Sequence, residues 1–413
     1  MSAHPPLWRN RDFVLLQLGR LLSTGGSQVT QIAYPLLVLA LTGSPAKAGI
    51  VAFARTAPMF LLALPAGILA DRWNRKRLMI GSDIARLAAI AGLVVAVETG
   101  GVRFWQLPLV AVVEGLGASV FIAAQAGAFR AVVPPAQLPA AVNTQTARIA
   151  AVQVGAPPLG GLLFQLGRAL PFLMDAISYL ASFVSLALIR TPFQEERDHD
   201  PEPLRQQLLV GLRFIWREPF IRTTSFLWLL SNIPGPGVQF ALVVIAKRQG
   251  LSGAEIGAIV GAFGASILLG SAAGPVVRRT LPPRGILLLE FWCWLGPLAF
   301  VVRPSIWILM ASMLPVGFAI PNSDSIVEAY RYAVTPDRIL GRVETARTTL
   351  AGCLYPFGAL ATGFMLEHVA ARWTIAALTL FSVALAVWGT LSRAIRDTPS
   401  LDRLEELRAA GVG

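Results

Sequence analysis

The sequence predicts an all-α membrane protein with twelve transmembrane helices, and three observations carry that expectation. Of 413 residues, 55% are hydrophobic and only 14% charged, with a mean hydropathy of +0.62, too apolar for a water-soluble globule of this size. The apolar runs reach the roughly 20 residues a helix needs to cross the hydrocarbon, and they are too long for barrel strands. Lys and Arg, which bring the net charge to +12, collect in alternate loops, as they do on the cytoplasmic side of a membrane. The charge therefore sets topology, with both termini cytoplasmic in a plasma (inner) membrane, and needs no nucleic acid to explain it.

Span one, about 13–41, follows Arg9 and Arg11 without a cleavage pattern and reads as a retained anchor. Spans two to six cover about 46–69, 77–98, 105–131, 138–167 and 169–190, each bounded by charges, Gly/Pro breaks or aromatic anchors. Spans seven to twelve follow by the same signs at about 219–246, 253–277, 285–303, 305–330, 340–367 and 371–394. These give a six-helix bundle over 1–190, a cytoplasmic linker over 191–218, a second bundle over 219–396 and a cytoplasmic tail over 397–413. The linker holds Glu195, Glu196, Arg197, Asp198 and Asp200, then a segment where Leu204, Leu208, Leu212 and Ile215 recur at helical spacing with Arg205, Arg213 and Arg217 off that stripe. A helix lying in the membrane interface and an ordinary surface helix both fit that pattern.

The loop between spans two and three is Gly67-Ile68-Leu69-Ala70-Asp71-Arg72-Trp73-Asn74-Arg75-Lys76-Arg77. Gly67 is expected to let two helices approach closely, and Asp71 to face the positive N-terminal end of a helix. This loop resembles motif A of the major facilitator superfamily, with Gly67, Asp71, Arg72, Arg75 and Lys76 matching. A weaker echo, Gly274-x-x-x-Arg278-Arg279, falls after span eight, and Val334-Thr335-Pro336 echoes Val133-Pro134-Pro135. The resemblance implies two pseudo-symmetric six-helix bundles with substrate between them and motion by rocking. The acid of the loop exists only in the first half.

Span five ends in Gly155-Ala156-Pro157-Pro158-Leu159-Gly160-Gly161, which resembles the motif C of proton-coupled exporters through Gly155, Pro157, Gly160 and Gly161. A kink that only packs helices is the other reading. Span four carries Glu114-Gly115-Leu116-Gly117-Ala118, with Glu114 where drug exporters have glutamine and Ala111 where they have arginine. An acid near mid-membrane costs at least about 2.5–3.5 kcal/mol unless paired or hydrated, so Glu114 is the first proton-coupling candidate, with Arg148 as its expected partner. A static ion pair is the alternative. Asp83-x-x-Arg86 in span three puts opposite charges on one helix face.

Arg20, Thr24, Ser27, Gln28, Gln31 and Tyr34 form a polar stripe on span one, either lining a cavity or bonding between helices, with Asn232 and Gln239 as weaker counterparts on span seven. Asp175, Asp324, Glu328, Glu344 and Arg347 are boundary charges by default, and Trp292 and Trp294 are either interface anchors, the reading preferred, or part of a pocket wall. Arg11-Asp12-Phe13, Leu41-Thr42-Gly43-Ser44-Pro45, Arg55-Thr56-Ala57-Pro58 and Gly341-Arg342-Val343 narrow the resemblance to the branch of the enterobactin exporter and macrolide efflux proteins. Many members carry an acid in span one after its glycine, whereas here Ser27 follows Gly26. What the resemblance implies is a proton-driven, monomeric exporter of an amphipathic small molecule, with an importer or uniporter as the alternative. Cys293 and Cys353 sit in apolar runs, and His4, His199 and His368 are scattered. No metal-ligand cluster, nucleophile–base set or nucleotide loop is present, so the sequence gives no ground for a metal, a cofactor or an enzyme activity.

Overall fold

The computed structural model describes residues 7–193 and 204–397, all of it helix and connecting turn. Two compact units emerge, residues 1–200 with 246–261 and residues 201–245 with 262–413. In this division the end of span seven and the start of span eight cluster with the first unit. The acidic run Glu195 to Asp200 and the tail beyond Asp397 lie outside the described residues.

In the first unit α1 (Arg11–Thr42) is 32 residues long, about 48 Å. Asn10 caps it, accepting from Phe13 N–H, and Gly43, with φ of 68°, ends it in the left-handed conformation that glycine adopts without strain. Span two is broken into α2 (Pro45–Leu61) and α3 (Ala63–Arg72), which meet at 50°. Pro65 has no N–H to offer the Leu61 carbonyl, and the ladder breaks there. Then come α4 (Arg75–Glu98), α5 (Gln106–Val132), α6 (Leu138–Leu166) and α7 (Leu170–Leu188). Helix α1 packs on α2, α5, α6 and α7, and α4 fills the space beside α5 and α7. Phe13, Leu16, Met79, Phe121, Leu186 and Ile189 close one end of this unit as a buried core.

The second stretch of chain opens with α8 (Leu204–Arg217), which packs on α15 and α9 and buries Ile215 while Leu212 and Trp216 stay exposed. Three spans are interrupted. Span seven is α9 (Pro219–Ser231) and α10 (Pro234–Arg248), divided before Pro234. After α11 (Gly253–Thr280), span nine is α12 (Pro283–Cys293), a 3-10 turn at Gly296–Leu298 and α13 (Ala299–Val302). Helix α14 (Ile306–Val334) is continuous, whereas span eleven is α15 (Asp337–Gly352) and α16 (Tyr355–His368), with Pro356 unable to bond the Gly352 carbonyl. Helices α17 (Ala371–Leu391) and α18 (Arg393–Arg396) end the described chain.

Ten helical spans among the described residues are long and apolar enough to cross a membrane, and the bent α2–α3 pair makes an eleventh. Helix α1 is long enough to cross, but its polar stripe makes it less apolar than these. The all-helical fold class agrees with the sequence, and the spans found among the described residues number ten or eleven against the expected twelve.

Candidate functional site

The charged loop organises one end of the first unit. Lys76 Nζ donates to the Ile189 carbonyl at 2.6 Å and the Ala187 carbonyl at 3.3 Å, giving a cation to acceptors at the end of α7 that have no intrahelical donor. Arg75 bonds the carbonyls of Ala70 and Phe193 and reaches Asp71 at 3.4 Å. Asp71 and Arg72 are exposed. Gly67 does not serve a close approach here, since a Cβ built on it meets nothing within 4 Å. At the same end Asp12 accepts from Thr191 N–H and hydroxyl and from Arg190 N–H. Partial burial raises its carboxyl pKa, but these bonds, with Arg11 nearby, outweigh that and hold it below the ordinary value of 3.8.

Deeper in the unit lies a network that sequence reasoning only partly assembled. Glu114, buried on α5, pairs with Arg55 of α2, Nε to Oε2 at 3.6 Å, and accepts from the Tyr179 hydroxyl of α7 at 3.1 Å. It does not pair with Arg148. Helix α6 packs along α1 and α7, and Arg148 Nη1 instead donates to Gln17 at 2.8 Å. Tyr179 also shares a hydrogen bond with Ser27 at 2.9 Å, and Arg55 Nη2 donates to the Ser27 carbonyl at 2.6 Å. Thr30 donates to Asp175 at 3.0 Å, and Ser178 to the other oxygen of Asp175 at 3.1 Å. Asp175 is fully buried, not a solvated boundary charge. Its carboxylate fills the place where a Cβ on Gly26 would collide with it, so the small residue on α1 lets an acid of α7 in.

Beside this network Arg86 Nη2 donates to Asp83 at 2.5 Å, the pair that the three-residue spacing predicts. The Arg86 guanidinium stacks over Tyr179 and Phe121, and Arg20 lies over the other side of the cluster, 4.9 Å from the Phe121 ring. The α1 stripe therefore divides. Ser27 joins the network and Tyr34 is buried edge-on against Phe172, Thr24 and Gln28 are half-buried, and Gln31 is exposed.

The motif C-like segment makes a seam within the first unit. A Cβ on Gly160 would strike the Val29 backbone, and one on Gly161 the Gly253 carbonyl and Gly257 Cα. Gly155 borders open space.

In the second unit Asn232 donates to the carbonyls of Trp228 and Ala351, bridging the breaks of spans seven and eleven, which gives it a structural task. Gln239 is half-buried. Arg331 is fully buried and ion-paired to Glu344, which also pairs with Arg347 at 3.2 Å. Trp228 Nε1 donates to Asp324 at 3.0 Å. Trp294 is buried and so is not an interface anchor, while Trp292 is exposed and bonded to Thr390. No group of His, Cys, Asp and Glu among the described residues could hold a metal.

Ionisable residues buried inside membrane-spanning helices are costly and rare, and they mark candidate functional sites. The model of the family described as transmembrane secretion effector matches residues 1–407. The chain belongs to that family of major facilitator transporters. The multidrug efflux pump Tap of Mycolicibacterium fortuitum is 26% identical over 388 residues, 91% of this chain and 94% of Tap. The enterobactin exporter EntS of Shigella dysenteriae serotype 1 is 24% identical over 333 residues, 79% of this chain and 78% of EntS. Among solved structures, a bacterial homologue of the iron transporter ferroportin in an inward-facing state superposes with a TM-score of 0.70 at 19% identity, covering 94% of this chain and 100% of that one. The chain is a multi-pass membrane transporter with efflux pumps among its relatives.

Arg55, Thr30, Tyr179 and Asp175 were not joined to Glu114 from sequence. One signal was available: Arg55 is a lone cation inside an apolar run, and such a charge requires an acid nearby.

Proposed function

We propose that this transporter exports an amphipathic small molecule in exchange for protons, by alternating access, with Glu114 as the coupling acid. The observation that carries this reading is the Arg55–Glu114 pair inside a membrane-spanning bundle, tied through Ser27 and Thr30 to Asp175. Arg55 pairs with Glu114 and is linked through Thr30 to Asp175, so a change in its position changes how the two buried carboxyls must be neutralised. A carboxylate held by the guanidinium stays ionised, and one that loses it while buried takes a proton. Alternation between those arrangements is a proton-coupling device.

The direction is supported by two relatives whose names describe an efflux pump and an exporter. The energy suffices, since one charge crossing about 100 mV releases roughly 2.3 kcal/mol, near a fifty-fold concentration ratio. The acting unit is a monomer in the cell membrane with both termini cytoplasmic, and Arg20, Gln28, Gln31 and Gln239 are the residues proposed to meet substrate. The test is substrate uptake into inverted vesicles with and without an imposed pH gradient. Uptake that ignores the gradient rejects proton coupling, and loss of substrate from preloaded inverted vesicles, driven by the same gradient, rejects export.

A further inference from the structure

The sequence offset that lays Gly274 over Gly67 also lays Glu290 over Asp83 and Cys293 over Arg86. Under that offset α12 and α4 start within one residue of each other. In the first unit the acid has its cation, Arg86 donating to Asp83 at 2.5 Å. In the second unit the acid is kept and the cation is gone. The residue three positions on is Cys293, a free thiol. Glu290 is 7% exposed, and its Oε2 is buried with no hydrogen-bond partner among the described residues.

The groups around it do not supply a cation. Helix α14 packs along α12 and brings Ser323 and a second acid, Asp324, within electrostatic reach of Glu290. Trp228 from α9 gives its ring N–H to Asp324 and sets its ring edge-on to Phe291. Helix α17 meets α12 through Thr390, which Trp292 bonds, and its one charged residue, Arg372, stands in its first turn. Glu328 and Arg347 act on Asp324 from further along α14 and from α15, and Arg347 is engaged with Glu344. Buried Glu290 on α12 thus has half-buried Asp324 of α14 as its charged neighbour, and Arg347, the cation that acts on Asp324, is itself engaged by Glu344.

An ionised carboxyl in an apolar interior without a cation or a donor is too costly to persist, and it neutralises by taking a proton. We propose that Glu290, with Asp324 as its acidic neighbour, forms a proton-binding site in the second unit, the place of the proton being the unpartnered Oε2 of Glu290. The first unit solved the same position with an arginine, and the second solves it with a proton. This site is separate from the Glu114 network. Its use in coupling rests on the exporter reading, but its protonation does not.

The experiment reads protonation alone. Infrared difference spectra of the full-length protein in lipid nanodiscs, taken between alkaline and neutral buffer in H2O and D2O, report a protonated carboxyl as a band that shifts on deuteration. The expected result is such a band at neutral pH, lost in Glu290→Gln. Cys293→Arg, which restores the spacing of Asp83 and Arg86, is expected to abolish it too. If either variant fails to fold, the wild-type protein is treated with dicyclohexylcarbodiimide, which adds to a protonated carboxyl in apolar surroundings. The acid proton passes to a carbodiimide nitrogen while the carboxyl oxygen bonds its carbon, and peptide mapping is expected to find the adduct on Glu290 or Asp324. A wild-type spectrum without the band, a band unchanged in Glu290→Gln, or no adduct on either carboxyl overturns the proposal. A protein that carries the band but ignores a pH gradient in transport would reject the proton-coupled reading and leave the proton site standing.

Discussion

Arg55 on α2 points its Nε at Glu114 Oε2 on α5 from 3.6 Å, so the cation for this buried acid comes from the second span and not from the fifth. The same arginine reaches the Thr30 hydroxyl at 3.4 Å, and Thr30 in turn donates to Asp175. One guanidinium therefore meets one carboxyl directly and another, on a different helix, through Thr30. Few arrangements make a proton equilibrium more sensitive to small helix movements, because the Coulomb term in a low-dielectric site changes steeply with distance.

Glu114→Gln is expected to keep substrate exchange and lose accumulation driven by the pH gradient, by up to about fifty-fold for one proton per cycle at about 100 mV. Arg55→Ala should behave differently, destabilising the protein by about 3–5 kcal/mol, because it leaves buried acids without their cation. Thermal unfolding in detergent checks this, and the double variant with Glu114→Gln should recover part of the loss. A double variant no more stable than Arg55→Ala alone would show that the two residues do not act as a pair.

Asp12 gives a pH dependence that can be signed. Its folded pKa lies below the ordinary 3.8, so the stability it contributes is fully present above about pH 4 and is lost as the pH falls through the lowered value. Unfolding followed in detergent between about pH 6 and 3 should show wild type losing more stability than Asp12→Ala, whose cost at neutral pH is about 1 kcal/mol. Parallel curves for the two proteins would mean that the bonds from Thr191 and Arg190 leave the carboxyl unaffected.

How far the sequence carried this protein depends on whether a feature is local. Span positions follow from runs of apolar residues, and Asp83 with Arg86 follows from the rise of one helix. The Lys76 and Arg75 loop is legible because its charges stand between two apolar runs. What the chain does not write out is which spans are neighbours. Glu114 and Arg148 lie on consecutive spans, yet α6 packs along α1 and α7, and α2 is the helix that brings a cation to α5. Asp175 looks like a boundary charge in a one-dimensional reading, because only the approach of Gly26 shows that α1 covers it. Glu290 escapes for another reason: without its arginine it has no spacing pattern of its own, and only laying the sequence of the second half over that of the first brings it out.

The seam of Gly160 and Gly161 is where a side chain has no room. Gly161→Leu would drive its side chain into the Gly253 backbone and should cost about 1–3 kcal/mol or more by overpacking. Gly155→Ala, at a position with nothing within 4 Å, should cost nothing and can gain from higher helix propensity. Expression level and melting temperature of the two variants decide the point. Equal tolerance at both positions would mean that the glycines are not there for packing.

Asp71→Asn should leave the fold intact and alter the balance between conformations. In this structure Asp71 is 42% exposed and reaches Arg75 at 3.4 Å, so at so exposed a position removing its charge should cost little stability, within about 1 kcal/mol. Its neighbours behave in the opposite way. Lys76 caps α7 from 2.6 Å, and Lys76→Ala should lower the melting temperature while Asp71→Asn does not. A carboxylate facing a helix N-terminus is worth about 0.3–2 kcal/mol, so if Asp71 takes up such a contact in only one conformation, its loss shifts the populations by about two- to thirty-fold. Single cysteines in the α3–α4 loop and in the loop at Gly101, in a background without Cys293 and Cys353, would report that shift through their labelling rates as transport slows. Unchanged labelling ratios with wild-type flux would remove Asp71 from gating and leave the loop a purely structural clamp built by Arg75 and Lys76.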